Sequence, residues 1–304
     1  MRKFIIAILM ISYFYCAAQE NYVTVDDVRI HIKIIGLKNR QESQPVIIFE
    51  NGHGETISSW DTLMEILGDQ FPLFMYDRPG TGNSEADHQF PSMEYNARKL
   101  KSILTQLDIK PPFLLVGHSL GGVYLRGYAN FYPEDLAGLI FVDPADFTQN
   151  LSDFALPYRE IGVSDEFIDS MMNAKFSQSP AIDSSKNIKT QQELVMLYHL
   201  RASNFQELNE KTLPSIPIHF LVGGRFSVPP QYQSKHFNQE ALFRARTKHW
   251  IENWTNVVNN SPYGRLFYSV KAGHYIQRDD PGLVLASIRL ALEDYTLIQN
   301  RTKN

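Results

Sequence analysis

Cysteine is all but absent from this 304-residue chain. Cys16 stands alone, so neither an internal disulfide nor a cysteine-rich metal site can form. A basic surplus is missing too: 29 Lys and Arg face 33 Asp and Glu, a formal net charge of −4. A chain so balanced is a poor match to nucleic acid, whose phosphates call for a basic surface. Glycine and proline, at 17 and 16 residues, are too few for a collagen-like or low-complexity chain, and a 43% hydrophobic content allows a real core. No internal repeat or long linker divides the sequence. The G-x-x-x-x-G-K-[ST] and H-E-x-x-H patterns are missing, and Gly80-Thr81-Gly82 lacks the third glycine of a dinucleotide fingerprint. No metal or cofactor is therefore expected.

The first eighteen residues stand apart. Arg2 and Lys3 give a basic start, residues 4–15 carry no charge, and Cys16-Ala17-Ala18 supplies small residues before Gln19. That order is expected of a secretory leader cleaved after Ala18, and hence of an exported, periplasmic or secreted protein. The apolar run is short for a bilayer span, which takes about 20 residues. Bulky Phe14 and Tyr15 disfavour lipid attachment at Cys16, so no stable membrane anchor is expected. Loss of Arg2 and Lys3 takes the formal charge of residues 19–304 from −4 to −6.

After that leader, residues 22–25 and 28–35 read as a hairpin turning at Asp26-Asp27. Short apolar runs then alternate with helical patterns, at 46–49, 73–76, 113–116, 139–142, 218–222 and 266–270. Strands that are apolar on both faces imply a mostly parallel sheet covered by helices on both sides, an α/β fold. One interval breaks the rhythm: about 70 residues after 142 carry helical patterns, chiefly at 165–174 and 191–209, and no strand. A structureless loop of that length would be unusual, so residues of about 147–213 read as a helical cap inserted into one domain, 19–304.

The sharpest motif is Gly117-His118-Ser119-Leu120-Gly121, directly after the run 113–116 and before a helical pattern at 120–131. This is the G-x-S-x-G nucleophile elbow in its strand–turn–helix setting. A serine hydroxyl needs a base, and the base needs an orienting group. Among nine histidines, His274 lies on the loop between the last strand and the last helix, where it can reach the elbow. His31, His219 and His249 fall in strand or helix patterns, and His88, His199 and His236 have no chemical context. Asp143 follows a buried strand, where a carboxylate left unpaired would be costly and a histidine would answer it. Capping of the next turn is its other reading, and Asp146 is the reserve acid. Asp279 and Asp280 fit the start of the last helix. The glycine-rich Gly52-His53-Gly54 after 46–49 offers the His53 N–H as one oxyanion donor, with the Leu120 N–H at the helix start as the other. Arg244, Arg246, Lys248 and His249 surround Trp250 and Trp254. The tryptophans are placed on the body and the charges on the solvated side.

Taken together, these residues resemble the α/β-hydrolase superfamily over nearly all of the chain after the leader. Tyr76-Asp77-Arg78-Pro79-Gly80-Thr81-Gly82-Asn83-Ser84 and Gly273-His274 add to the elbow, the former as a structural turn. The resemblance puts an acid most commonly after the strand 218–222, but Phe226 stands there. Val142-Asp143-Pro144 with Gly273-His274-Tyr275-Ile276-Gln277 instead looks like a subset of bacterial serine hydrolases with the acid on the earlier strand. The implied activity is cleavage of a carboxylic ester or related small acyl substrate by Ser119, His274 and Asp143, with oxyanion donors at His53 and Leu120. Acyl transfer, carbon–carbon bond hydrolysis and aminopeptidase action would use the same groups. A non-catalytic ligand receptor on this scaffold is the alternative of another class. Phe147, Phe154 and Tyr158 are candidates for an apolar pocket wall.

Overall fold

The computed structural model describes residues 21–68 and 70–302, so the leader read at 1–18 lies outside the described residues. Chain entry is a hairpin of β1 (Asn21–Val25) and β2 (Val28–Ile35), paired antiparallel. Asp26 and Asp27 both adopt positive φ, 51° and 60°, the tight turn whose twist suits a two-residue hairpin. The sheet continues with β3 (Val46–Glu50), β4 (Leu73–Tyr76), β5 (Phe113–His118), β6 (Leu136–Val142), β7 (Ile218–Gly223) and β8 (Gly264–Ser269). Its order is β1-β2-β4-β3-β5-β6-β7-β8, antiparallel through β2–β4 and parallel from there on.

The unbroken apolar runs are explained by the two faces. Ile47, Phe49, Met75, Val116 and Ile140 point to one side, against Trp60 and the helices α1 (Asp61–Leu67), α9 (Ile276–Asp279) and α10 (Pro281–Thr302). Val46, Ile48, Phe74, Leu115 and Phe141 point to the other, against α2 (Met93–Gln106), α3 (Leu120–Phe131) and α8 (Gln239–Asn259). With both sides covered, alternation of side chains brings no alternation of polarity. The exception is β8, an edge strand that is only partly buried; Val270, expected within it, is exposed beyond its end.

The long interval between β6 and β7 is helical: α4 (Leu156–Glu160), α5 (Asp165–Phe176), α6 (Ile188–Ala202) and α7 (Gln206–Asn209). The single helix expected at 191–209 is broken, because Asn204 and Phe205 take positive φ and Phe205 turns into the core, 1% exposed. The sheet order reverses between β3 and β5. In open α/β sheets the crevice beyond the strand ends at such a switch point is where ligands bind.

Candidate active site

Ser119 sits directly after β5 with φ 53° and ψ −117°, a conformation that non-glycine residues rarely adopt. The turn is too tight for side chains on its flanks. A Cβ at Gly117 would come 2.7 Å from the Gly121 carbonyl, and one at Gly121 2.4 Å from the Glu50 oxygen. The chain thus passes β3 at van der Waals distance and throws the Ser119 hydroxyl clear of the sheet. The Ser119 N–H is tied to the Val142 carbonyl at 3.1 Å, which locks the turn to the end of β6.

That same strand end supplies the acid. Asp143, 8% exposed, accepts the Gly223 N–H on Oδ1 at 2.9 Å and meets His274 Nδ1 with Oδ2 at 2.7 Å. On its other side, His274 Nε2 lies 3.1 Å from Ser119 Oγ. Because Asp143 offers an acceptor, the neutral ring carries its proton on Nδ1 and turns a lone pair toward the serine hydroxyl. Partial loss of hydration opposes charging of His274. The hydrogen bond and charge of Asp143, backed by Glu55, outweigh it and raise the pKa above the ordinary imidazole value. The three residues expected from sequence are therefore brought into one hydrogen-bonded line. Asp146 is elsewhere: its Oδ1 accepts from Thr148 and from Trp254 Nε1, the latter at 3.1 Å. Phe226, where an acid was missing, packs on Phe243.

The N–H groups of His53 and Leu120 donate to no protein acceptor among the described residues; Leu120 directly follows Ser119, and His53 lies on the loop after β3, whose Glu50 and Asn51 carbonyls α3 approaches at Gly121. Leu120 opens α3, whose first N–H groups have no partners within the helix. The His53 ring is held by Glu193, with Nδ1 3.0 Å from Oε2, and the Gly54 N–H donates to the same oxygen at 3.3 Å.

Several residues around this site were not identified from sequence. Arg78, fully buried, joins Glu50 and Glu193 in ion pairs of 2.7 Å each and donates to the carbonyls of Asn51 at 2.7 Å and Gly52 at 2.8 Å. It thereby fastens the His53 loop to α6. Burial pushes the Glu50 carboxyl up despite Arg78 and Tyr76. Glu193, although buried, is held below its usual value by Arg78 and His53. Glu55 forms a second brace, accepting the Gly52 N–H at 2.9 Å and His118 Nδ1 at 2.7 Å, while His118 Nε2 donates to the His274 carbonyl at 2.8 Å. Asp279, expected near a helix start, accepts the Gly273 N–H at 2.9 Å and pairs with Arg225. Asp280 accepts from the Ser269 hydroxyl at 2.7 Å. Both steady the loop that carries His274. Removing one partner of a buried ion pair strands the other charge. Arg78→Met should accordingly cost about 3–5 kcal/mol of stability, read as a lower urea midpoint at unchanged slope; a midpoint equal to the native one would deny Arg78 this role.

A cavity of about 260 Å³ is lined by Ser119, Asp143 and His274 together with Phe154 and Phe176 from the β6–β7 interval and Arg246 from α8. Of the aromatic wall candidates, Phe154 lines it. Phe147 is instead core, 1% exposed and packed on Phe141 and Phe220. Tyr158 is buried with Ala155, Ile168 and Leu242, where the insertion meets α8. Trp254 is buried on Phe220 and Trp250, as expected, but Arg246 departs from the solvated side and turns into the cavity.

The model of the alpha/beta hydrolase family matches residues 47–287. Among curated proteins, YqjL of Bacillus subtilis, itself uncharacterized, is 33% identical over 129 residues, 42% of this chain and 49% of that protein. The chain spans about half, or less, of the length of the first curated relatives it matches. Among solved structures, Cfl2 from Burkholderia cenocepacia superposes with a TM-score of 0.58 at 16% identity, over 89% of this chain and 94% of that one. A thermophilic esterase from Thermogutta terrifontis gives 0.56 at 18% identity, over 91% and 99%. Both likenesses are of fold.

Proposed function

The chain belongs to the alpha/beta hydrolase family, and from that premise we propose that it is a serine hydrolase cleaving a carboxylic ester or related acyl compound through an acyl-enzyme on Ser119. The observation that carries this reading is the line from Ser119 Oγ through His274 to Asp143, at 3.1 and 2.7 Å. Both spans are within the reach that proton transfer and tautomer control require.

In this mechanism Ser119 Oγ attacks the carbonyl carbon while His274 Nε2 takes its proton. Asp143 keeps the Nδ1 proton in place and stabilises the imidazolium as it forms. The negative charge that develops on the carbonyl oxygen is met by the N–H groups of His53 and Leu120, which have no acceptor to give up among the described residues. His274 then protonates the leaving group. Water, deprotonated by the same nitrogen, releases the acid from Ser119. The inserted helices act as a cap over the acyl group. Arg78, Glu193 and Glu55 position the His53 loop rather than touch substrate.

A fluorophosphonate probe tests the assignment directly. It should add its phosphonyl group to Ser119, identified by peptide mass, and the adduct should be lost in Ser119→Ala. Absence of any label on the native protein would favour a ligand receptor built on this scaffold.

A further inference from the structure

The cavity also carries charge that the ester chemistry does not use. Lys175 on α5, Arg201 on α6 and Arg246 on α8 all line it, three cations delivered by three separate helices. Their neighbours are paired: Lys248 and His249 with Glu160, and Arg244 with Glu240. Among the described residues, none of these three cations has a carboxylate within ion-pairing distance. Instead Arg246 and Lys175 lie against aromatic rings. The Arg246 guanidinium is 5.1 Å from the Tyr158 ring and 5.5 Å from that of Phe154, and it donates to the Tyr158 hydroxyl; Lys175 Nζ is 4.5 Å from the Phe154 ring.

Two carboxylates share the cavity, but among the described residues neither comes within ion-pairing distance of these cations. Asp143 serves His274 and Gly223, and Asp146 serves Thr148 and Trp254. The cations feel one another. Lys175, although its side chain still meets solvent, is lowered to about 8 by burial and then by Arg201 and Arg246. Burial likewise lowers Arg201 and Arg246, with Asp146 and Tyr158 respectively acting in the other direction. Like charges gathered in a partly desolvated cleft repel, and a bound anion relieves that repulsion while gaining forked hydrogen bonds from guanidinium groups. The volume of about 260 Å³ is at the small end for ligand sites, which suits a short chain.

Building on the serine-hydrolase reading, we propose that the cavity selects short acyl substrates bearing a carboxylate, held by Arg201 and Arg246 with Lys175 closing over it, while the scissile carbonyl meets Ser119. The probes are p-nitrophenyl hydrogen glutarate and the neutral p-nitrophenyl pentanoate, with spontaneous hydrolysis subtracted. The native protein should favour the anionic ester by about tenfold or more in kcat/KM, and Arg201→Met and Arg246→Met should each cut that ratio about tenfold. Equal rates for the two esters, or a ratio that neither substitution moves, would overturn the proposal. Direct binding covers the case in which variants misfold or no ester is turned over. On Ser119→Ala protein, calorimetry should show monomethyl glutarate binding about tenfold or more tighter than methyl pentanoate, and equal affinities would again overturn the proposal. An unlabelled Ser119 with neither ester cleaved strikes the hydrolase reading, whereas cleavage of both at equal rates strikes only the carboxylate preference.

Discussion

Ser119→Ala is expected to lower kcat on activated esters by about 10⁶-fold while leaving the fold intact, since loss of the nucleophile costs about that much in a serine protease. The residue to be replaced sits at φ 53° and ψ −117° because Gly117 and Gly121 let α3 close on β3, and alanine meets the same backbone demand as serine. The strain, of order 1–3 kcal/mol, is therefore carried equally by both side chains. What the substitution removes is one hydroxyl and its 3.1 Å contact with His274, worth about 1 kcal/mol of stability. Thermal midpoint and activity should separate cleanly: a shift of a few degrees at most, against disappearance of turnover. A residual rate above that in water would come from the His53 and Leu120 N–H groups and from binding alone. Undiminished turnover by the purified variant would remove Ser119 from the reaction.

The parts of this molecule that were legible in sequence are those where one residue type is forced by local geometry. Gly117 and Gly121 are such positions, because a Cβ at either would overlap backbone atoms. Asp26-Asp27 is another, since both residues must reach positive φ in a two-residue turn. Arg78 was less legible. Its turn is readable from Asp77 to Ser84, but the partner that gives its side chain a purpose, Glu193, lies 115 positions away on the insertion. No spacing rule connects the two. Arg246 is a different case. Positions 246, 250 and 254 fall four apart, on a single row of α8. The periodicity that buries Trp254 therefore carries Arg246 inward as well, while Arg244 and Lys248 fall away from it. Treating the four basic residues as one surface cluster hid this. The break after Ala202 carried only a slight signal, Asn204, a residue type that tolerates the left-handed conformation at a helix end; no glycine or proline marks it.

Asp143→Asn is the other large effect, and it separates orientation from nucleophilicity. The variant amide keeps an oxygen for the Gly223 N–H, so the end of β6 should hold its shape. Toward His274, however, the amide nitrogen is a donor, and the ring must answer with a bare Nδ1 and a proton on Nε2. That proton faces Ser119 Oγ, and the histidine can no longer take another there. The corresponding change in a serine protease costs about 10⁴-fold in kcat, and a similar loss is expected here. The pH profile gives a second readout of opposite origin. In the native protein Asp143 raises the pKa of His274, so the base is protonated to higher pH and kcat/KM should climb through a limb above the ordinary value of 6.5. Without that carboxylate, desolvation is opposed chiefly by Glu55, and the remaining limb should move to lower pH. Asp146→Asn is the matched control. Its oxygens serve Thr148 and Trp254 rather than His274, so it should touch stability while kcat stays within about tenfold and the limb stays put. If Asp146→Asn brings the 10⁴-fold loss and the shifted limb instead, the orienting acid is not Asp143.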